Sequence, residues 1–239
     1  MLLYHGTDTR VVARILSEGI RPQPASGGGN WPTAPSKAGF VYLTSAFAPY
    51  YAMVSVFNPK PRRGVNPVIF EVDLDVVGET RLYPDEDFTE QRIRASKKAG
   101  QNIPSGWSLD VHASQDQWQA SLDGLGTVGV YGGVPPEALT RYAVIDMGFN
   151  GKQMTKCPNL YDLFTAQEQS GPAWTRVSLA RYSQERDELH NLVAFIFGDK
   201  LFRGKPRMGY RDSIKSFRRL IAGERQAGVT VHQLRQPSL

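Results

Sequence analysis

Leu2-Leu3-Tyr4-His5-Gly6-Thr7 and, further along, Val41-Tyr42-Leu43-Thr44-Ser45 are the stretches on which the fold of this chain turns. Each is a short apolar run closed by small or hydroxyl residues, too brief for a helix and suited to a buried strand. A helix is expected after each. Following the first, Thr9 is a candidate cap, Val12, Ile15 and Leu16 recur at helical spacing, and Gly19 ends the pattern. Following the second, Ala46 to Val56 reads as helical and carries the pair Tyr50-Tyr51.

The same reading continues outward. Val68 to Leu74 alternates as a strand, and Leu82 to Phe88 reads as a turn leading to a helix through Arg92 and Lys98. Gln117 to Leu122 is expected to be helical, Gly126 to Tyr131 a valine-rich strand, and Tyr142 to Met147 another. The run Ser26-Gly27-Gly28-Gly29-Asn30 is a loop. Beyond Gly151 the pattern turns helical, with Leu179 to Phe197 and an amphipathic segment Tyr210 to Ala222. The expected fold is α+β: a split, mostly antiparallel sheet in residues 1–150, extended by a helical C-terminal region over 151–239.

Composition narrows the function classes. A hydrophobic content of 41% over 239 residues allows a real core. No apolar run approaches the roughly 20 residues that span a bilayer, and no basic-then-apolar leader opens the chain. The expected location is cytoplasmic. The single Cys157 excludes an internal disulfide, and four scattered histidines give no metal-ligand spacing, so no metal is expected. Charge is uneven: residues 1–150 carry 13 basic and 15 acidic side chains, residues 151–239 carry 15 and 8. Nine of the basic residues fall between Lys200 and Arg225. Such a surface attracts polyanions, which makes nucleic acid the expected partner.

The ends of the first two strands also carry suitable chemistry. A glycine lets main-chain N–H and C=O approach a flat amide, an aromatic face stacks on a ring, and an imidazole or hydroxyl can bind a ribose. His5-Gly6-Thr7 and Tyr42-Leu43-Thr44-Ser45 place these groups together without intervening charge.

On these residues the chain resembles the ADP-ribosyltransferase superfamily of the histidine–tyrosine kind, which includes the poly-ADP-ribose polymerases and diphtheria-toxin-like enzymes. In that superfamily an H-G-T strand and a G-x-Y strand border the NAD cleft. The resemblance implies an ADP-ribosyltransferase that uses NAD as its substrate. His5 matches the ribose-contacting histidine, Gly6 the glycine that pairs with the carboxamide, and Tyr42 the tyrosine packed against nicotinamide. Thr7 and Thr44 join the pocket, Tyr51 (or Tyr50) supplies a second stacking ring, and Arg21 can reach the pyrophosphate. Gly126 to Pro136 resembles the superfamily's strand followed by V-P-P, as in DNA ADP-ribosyltransferase toxins. A catalytic glutamate opens that strand in DNA-modifying members; here the matching position is Thr127 or Gly126. Glu71, the triplet Asp85-Glu86-Asp87 or Glu137 could replace it. The activity this implies is transfer of ADP-ribose to a macromolecule, with His5, Tyr42 and Thr127 at the catalytic positions. Alternatives are an NAD-using RNA 2′-phosphotransferase, an inactive module that binds ADP-ribose or RNA, and a plain RNA-binding protein. The implied enzyme requires the His5 and Tyr42 rings to border a common hollow.

Overall fold

A computed structural model describes residues 1–22, 24, 37–57, 63–148, 193–194, 196–198 and 228–234. Seven strands form one antiparallel sheet: β1 (Leu2–Asp8), β2 (Phe40–Thr44), β3 (Pro67–Asp73), β4 (Leu82–Pro84), β5 (Thr127–Tyr131), β6 (Leu139–Ile145) and β7 (Val229–Gln233). Their spatial order is β4-β5-β2-β1-β3-β6-β7. The helices are α1 (Val12–Glu18), α2 (Ala48–Phe57), α3 (Leu74–Val77), α4 (Glu86–Lys98) and α5 (Trp118–Leu125), with short 3₁₀ turns between. The chain is therefore α+β with an antiparallel sheet, in agreement with the coarse expectation from its sequence.

Strand alternation divides the core into two layers. Leu3, Leu43, Val68, Phe70, Val128 and Val130 face one side and pack with Ile15 of α1. Ile69, Ala143 and Ile145 face the other, under Ala48, Ala52 and Met53 of α2 and Phe88 of α4. Buried apolar area of this kind is the main favourable term in folding. Two local devices set the first helix. Asp8, rather than the expected Thr9, caps the turn that leads into α1 by accepting from the Arg10 N–H at 3.0 Å. Gly19 ends α1 at φ 77°, a conformation that costs glycine little.

Two strands were not legible beforehand. β4 has only three residues and was expected as part of a turn. β7 lies in the region expected to be helical, yet it pairs with β6 from Arg141↔Gln233 to Ile145↔Val229. Val193, Ile196 and Phe197 are also buried in the α2-side layer. The described parts of 151–239 thus join the sheet and the core of the first 150 residues. The expected helix over 210–222, the rest of 179–197, the basic stretch Lys200–Arg225, the glycine loop and Cys157 lie outside the described residues. Among the described residues no helix is long and apolar enough to cross a membrane.

Candidate functional site

The seam between β1 and β2 is the irregular place in the sheet. β1 pairs with β3 along its whole length, from Leu2↔Asp73 to Asp8↔Pro67. β2 pairs with β5 from Phe40↔Tyr131 to Thr44↔Thr127. β1 and β2 meet at a single registered pair, Tyr4↔Thr44.

Successive peptide groups of a strand point to opposite edges. The Thr9 N–H bonds the Asn66 carbonyl at 3.0 Å and the Leu74 N–H bonds the Met1 carbonyl at 2.9 Å, so odd positions of β1 face β3. The Ser45 N–H bonds the Gly126 carbonyl at 2.8 Å and the Gly132 N–H bonds the Gly39 carbonyl at 2.9 Å, so odd positions of β2 face β5. Even positions of both strands therefore face the seam. Past Tyr4, the Gly6 N–H and C=O lie on a strand edge against which no described strand is registered.

Gly6 has a second reason to be glycine. A Cβ there would sit 2.1 Å from the Ala48 carbonyl oxygen, 2.5 Å from the Ala52 nitrogen and 2.9 Å from the Tyr51 Cβ. Helix α2 is pressed directly onto β1 at this point.

His5 stands at the seam. Its Nδ1 is 3.1 Å from the Tyr42 carbonyl. A carbonyl only accepts, so Nδ1 carries the proton and the neutral ring keeps Nε2 as an acceptor. Burial lowers the imidazole's pKa, against the opposing effect of that carbonyl bond. The alternation sends His5 and Thr7 to the face of Leu3 and Phe70, while the Tyr42 phenol lies on the α2 and α4 face. The two rings thus reach the seam from opposite faces of the sheet, and what joins them is an imidazole bonded to a carbonyl. The common hollow expected for these two rings is therefore not formed on either face of the sheet; what both residues approach is the seam between β1 and β2.

Tyr42 leads instead to an acid. Its hydroxyl donates to Glu86 Oε2 in a short hydrogen bond. The Lys37 N–H lies 3.3 Å from both the phenol oxygen and Glu86 Oε1. Burial, then the charges of Glu86 and Asp85, push the phenol well above its ordinary pKa, so Tyr42 keeps its proton. Tyr51, one turn into α2, feels the same surroundings: burial first, then Asp85, raise its hydroxyl. Its ring meets Tyr50 edge-on at 5.6 Å.

Asp85 sits beside Glu86 as the N-cap of α4, accepting from the Asp87 N–H at 2.9 Å. Its other oxygen accepts from the Thr127 hydroxyl at 2.9 Å. Ser121 of α5 locks this corner, accepting from the Asp85 N–H and donating to the Thr127 carbonyl, both at 2.9 Å. Burial, followed by the charges of Glu86 and Asp87, raises the Asp85 carboxyl to about 8. Glu86 is raised too, chiefly by burial, with the Tyr42 hydroxyl pulling it back. Two adjacent carboxyls in one poorly hydrated place do not both ionise readily.

The expected site residues divide accordingly. Tyr42, Tyr51 and Thr127 converge with Asp85 and Glu86, while His5 and Gly6 border the seam beside them. Thr44 is buried, and its hydroxyl accepts from the Ala46 and Phe47 N–H groups at 3.2 and 3.0 Å, turning the chain into α2. That is a structural use of the hydroxyl's acceptor capacity. Arg21 is exposed and pairs with Glu18 at 3.1 Å. Thr127 carries no acid and instead orients one. Of the replacement acids, Glu71 is fully buried and held by Arg141 Nε at 2.9 Å, Arg141 Nη2 at 2.6 Å and the Thr140 hydroxyl at 2.6 Å. Glu137 is exposed on a 3₁₀ turn. Within the triplet, Glu86 bonds the Tyr42 hydroxyl, and the charges of Asp85, Asp87 and Glu86 all act on Tyr51. Ser121 and the Lys37 N–H were missed; a main-chain donor and a mid-helix serine leave no signal in a sequence.

Among the described residues no group of three or more histidine, cysteine, aspartate or glutamate side chains is placed to hold a metal. No protein-family model and no curated protein matches the chain.

Proposed function

We propose that the seam between β1 and β2 receives the nicotinamide end of NAD and that the chain transfers ADP-ribose to a macromolecular acceptor, releasing nicotinamide. The observation that carries this reading is the main-chain edge at Gly6, against which no described strand is registered, with His5 on one face of the sheet and Tyr42 and Tyr51 on the other. An N–H and a C=O on adjacent atoms of one residue are the complement of a carboxamide, which offers one acceptor and one donor. The tyrosines offer ring surface. The neutral Nε2 of His5 suits a ribose hydroxyl. A nicotinamide riboside lying edge-on in the seam would meet all of them.

Nucleic acid is the proposed acceptor, on the strength of the basic stretch Lys200–Arg225. Phosphate contacts from those residues would make binding fall steeply as salt rises. A second reading, an NAD-binding module without turnover, is favoured by one observation: Thr127 stands where an acid is expected.

The test is calorimetric titration with NAD, followed by chromatographic detection of nicotinamide after incubation with separate pools of DNA, RNA and protein. Saturable binding with nicotinamide release dependent on one pool supports the transferase. Binding without release supports the module. No heat at millimolar NAD removes both, and leaves the seam a structural irregularity.

A further inference from the structure

We infer that Tyr42 and Glu86 form a proton relay that relieves the attacking acceptor of its proton, so that the acid of this site comes from the start of α4 instead of from β5. The inference rests on the NAD reading above. Three contacts support it. The phenol already donates its proton in a hydrogen bond to Glu86 Oε2. The Lys37 N–H lies 3.3 Å from the phenol oxygen and 3.3 Å from the other carboxylate oxygen, Glu86 Oε1, and so ties the two side chains together. Thr127, at the position where an acid is missing, gives its hydroxyl to Asp85, immediately before Glu86. The β5 position has become a support for the α4 carboxyls.

The division of labour between the two acids follows from their settings. Asp85 is enclosed by the helix cap, Ser121 and Thr127, and burial favours its neutral form. Glu86 is only half-buried and has two donors, the Tyr42 hydroxyl and the Lys37 N–H, so the negative charge settles there. A phenol oxygen has two lone pairs. One accepts from the Lys37 N–H, and the relay assigns the other to the attacking hydroxyl or amine.

The step balances as follows. The bond between ribose C1′ and the nicotinamide nitrogen breaks with both electrons going to nitrogen, which releases neutral nicotinamide. A lone pair of the acceptor forms the new bond to C1′. The acceptor's proton passes to the Tyr42 oxygen as the Tyr42 proton passes to Glu86. The phenol ends as it began, and Glu86 leaves the step protonated. Water can take the acceptor's place, so the relay is testable before any acceptor is known.

The test measures nicotinamide release from NAD, with water as the acceptor, for the full-length chain and for Glu86→Gln, Tyr42→Phe and the double variant. NAD affinity and thermal melting are recorded alongside. General-base assistance typically contributes 10²- to 10⁴-fold. We expect Glu86→Gln to lose on the order of 100-fold in kcat, with NAD affinity changed less than about threefold. We also expect its pH–rate profile to lose the rising limb seen in the parent. Tyr42→Phe should lose a similar factor. The double variant should lose no more than the worse single variant, because one relay is broken once in each. A Glu86→Gln rate within threefold of the parent overturns the relay, as does additivity of the two losses. So does a loss confined to KM. Should one variant fail to fold, the other still decides. A parent protein that binds NAD without releasing nicotinamide overturns the relay together with the transferase reading. A parent that turns over while both variants match it overturns the relay alone.

Discussion

Replacing Gly6 by alanine should unfold this protein far more readily than its single methyl group suggests. The residue is in an ordinary strand, so alanine suffers no backbone strain there. The cost is steric. The new Cβ would stand 2.1 Å from the Ala48 carbonyl oxygen and 2.5 Å from the Ala52 nitrogen, where ordinary contact begins at 3.4 Å. Both are main-chain atoms of α2, so no side-chain rotation relieves the clash. The helix must retreat by more than an ångström, and Ala48, Ala52 and Met53 lose their fit against Ile69. Overpacking a tight core typically costs about 1–3 kcal/mol; with a whole helix displaced, we expect about 3 kcal/mol or more. For a chain of this length that is a fall in Tm of roughly 6–12 °C. Gly78→Ala is the control. That glycine has φ 86° but no atom within 4 Å of an added Cβ, so it bears backbone strain alone, about 1–2 kcal/mol. Urea unfolding followed by tryptophan fluorescence gives both values. If Gly6→Ala proves no worse than Gly78→Ala, α2 is not packed on β1 as described, and the steric account is wrong.

Other perturbations probe the acids and the unity of the fold. The Asp85 carboxyl is raised from an ordinary 3.8 to about 8, so the folded state holds its proton more tightly than the unfolded chain does. Its contribution is complete below about pH 4 and lost as pH climbs through about 8, with a ceiling of ~6 kcal/mol. Asp85→Asn should flatten that decline in urea titrations across pH 4–9, since asparagine also caps helices well; an unchanged pH profile would contradict the assignment. Arg141→Met strands the fully buried Glu71 carboxylate and should cost about 3–5 kcal/mol, with part recovered on adding Glu71→Gln. Phe197 lies between Tyr4, at 5.6 Å, and the Arg141 guanidinium, at 4.5 Å. Its change to alanine should cost about 3–4 kcal/mol, and a loss below about 1 kcal/mol would place Val193, Ile196 and Phe197 outside the cooperative unit. For the same reason a chain ending at residue 150 should not fold. It would leave β6 without its β7 partner and the α2-side layer without Val193, Ile196 and Phe197. A soluble, cooperatively melting 1–150 fragment would restore the boundary read from the sequence.

The regular parts of the fold were legible because their signals are local. β1, β2, β3, β5 and β6 follow from apolar runs, and α1 and α4 from periodicity with caps. β4 was hidden by its length: three residues carry no period, and Pro84 within the run reads as a breaker. β7 was hidden because half of its side chains face outward on a sheet edge, so Val229-Thr230-Val231-His232-Gln233 lacks an apolar signature. Its place is set by its ladder with β6, by Val229 and Val231 against the α2-side layer, and by the His232 ring, which stacks on Tyr142 at 4.5 Å on the other face.

The candidate site divides along the same line. The sequence determined which residues stand at the strand ends, that His5 and Gly6 are neighbours, that a tyrosine follows on the second strand, and that β5 begins with a hydroxyl instead of an acid. Those are matters of covalent order. Only the tertiary structure decided that β1 and β2 touch at one pair, that imidazole and phenol come from opposite faces, and that Asp85 and Glu86, some forty positions from Tyr42, stand against its hydroxyl and Thr127. The physical reason is that seam width and hydrogen-bond partners are set by how α2 and α4 pack across the sheet, and packing is a property of the closed chain, not of any segment within it.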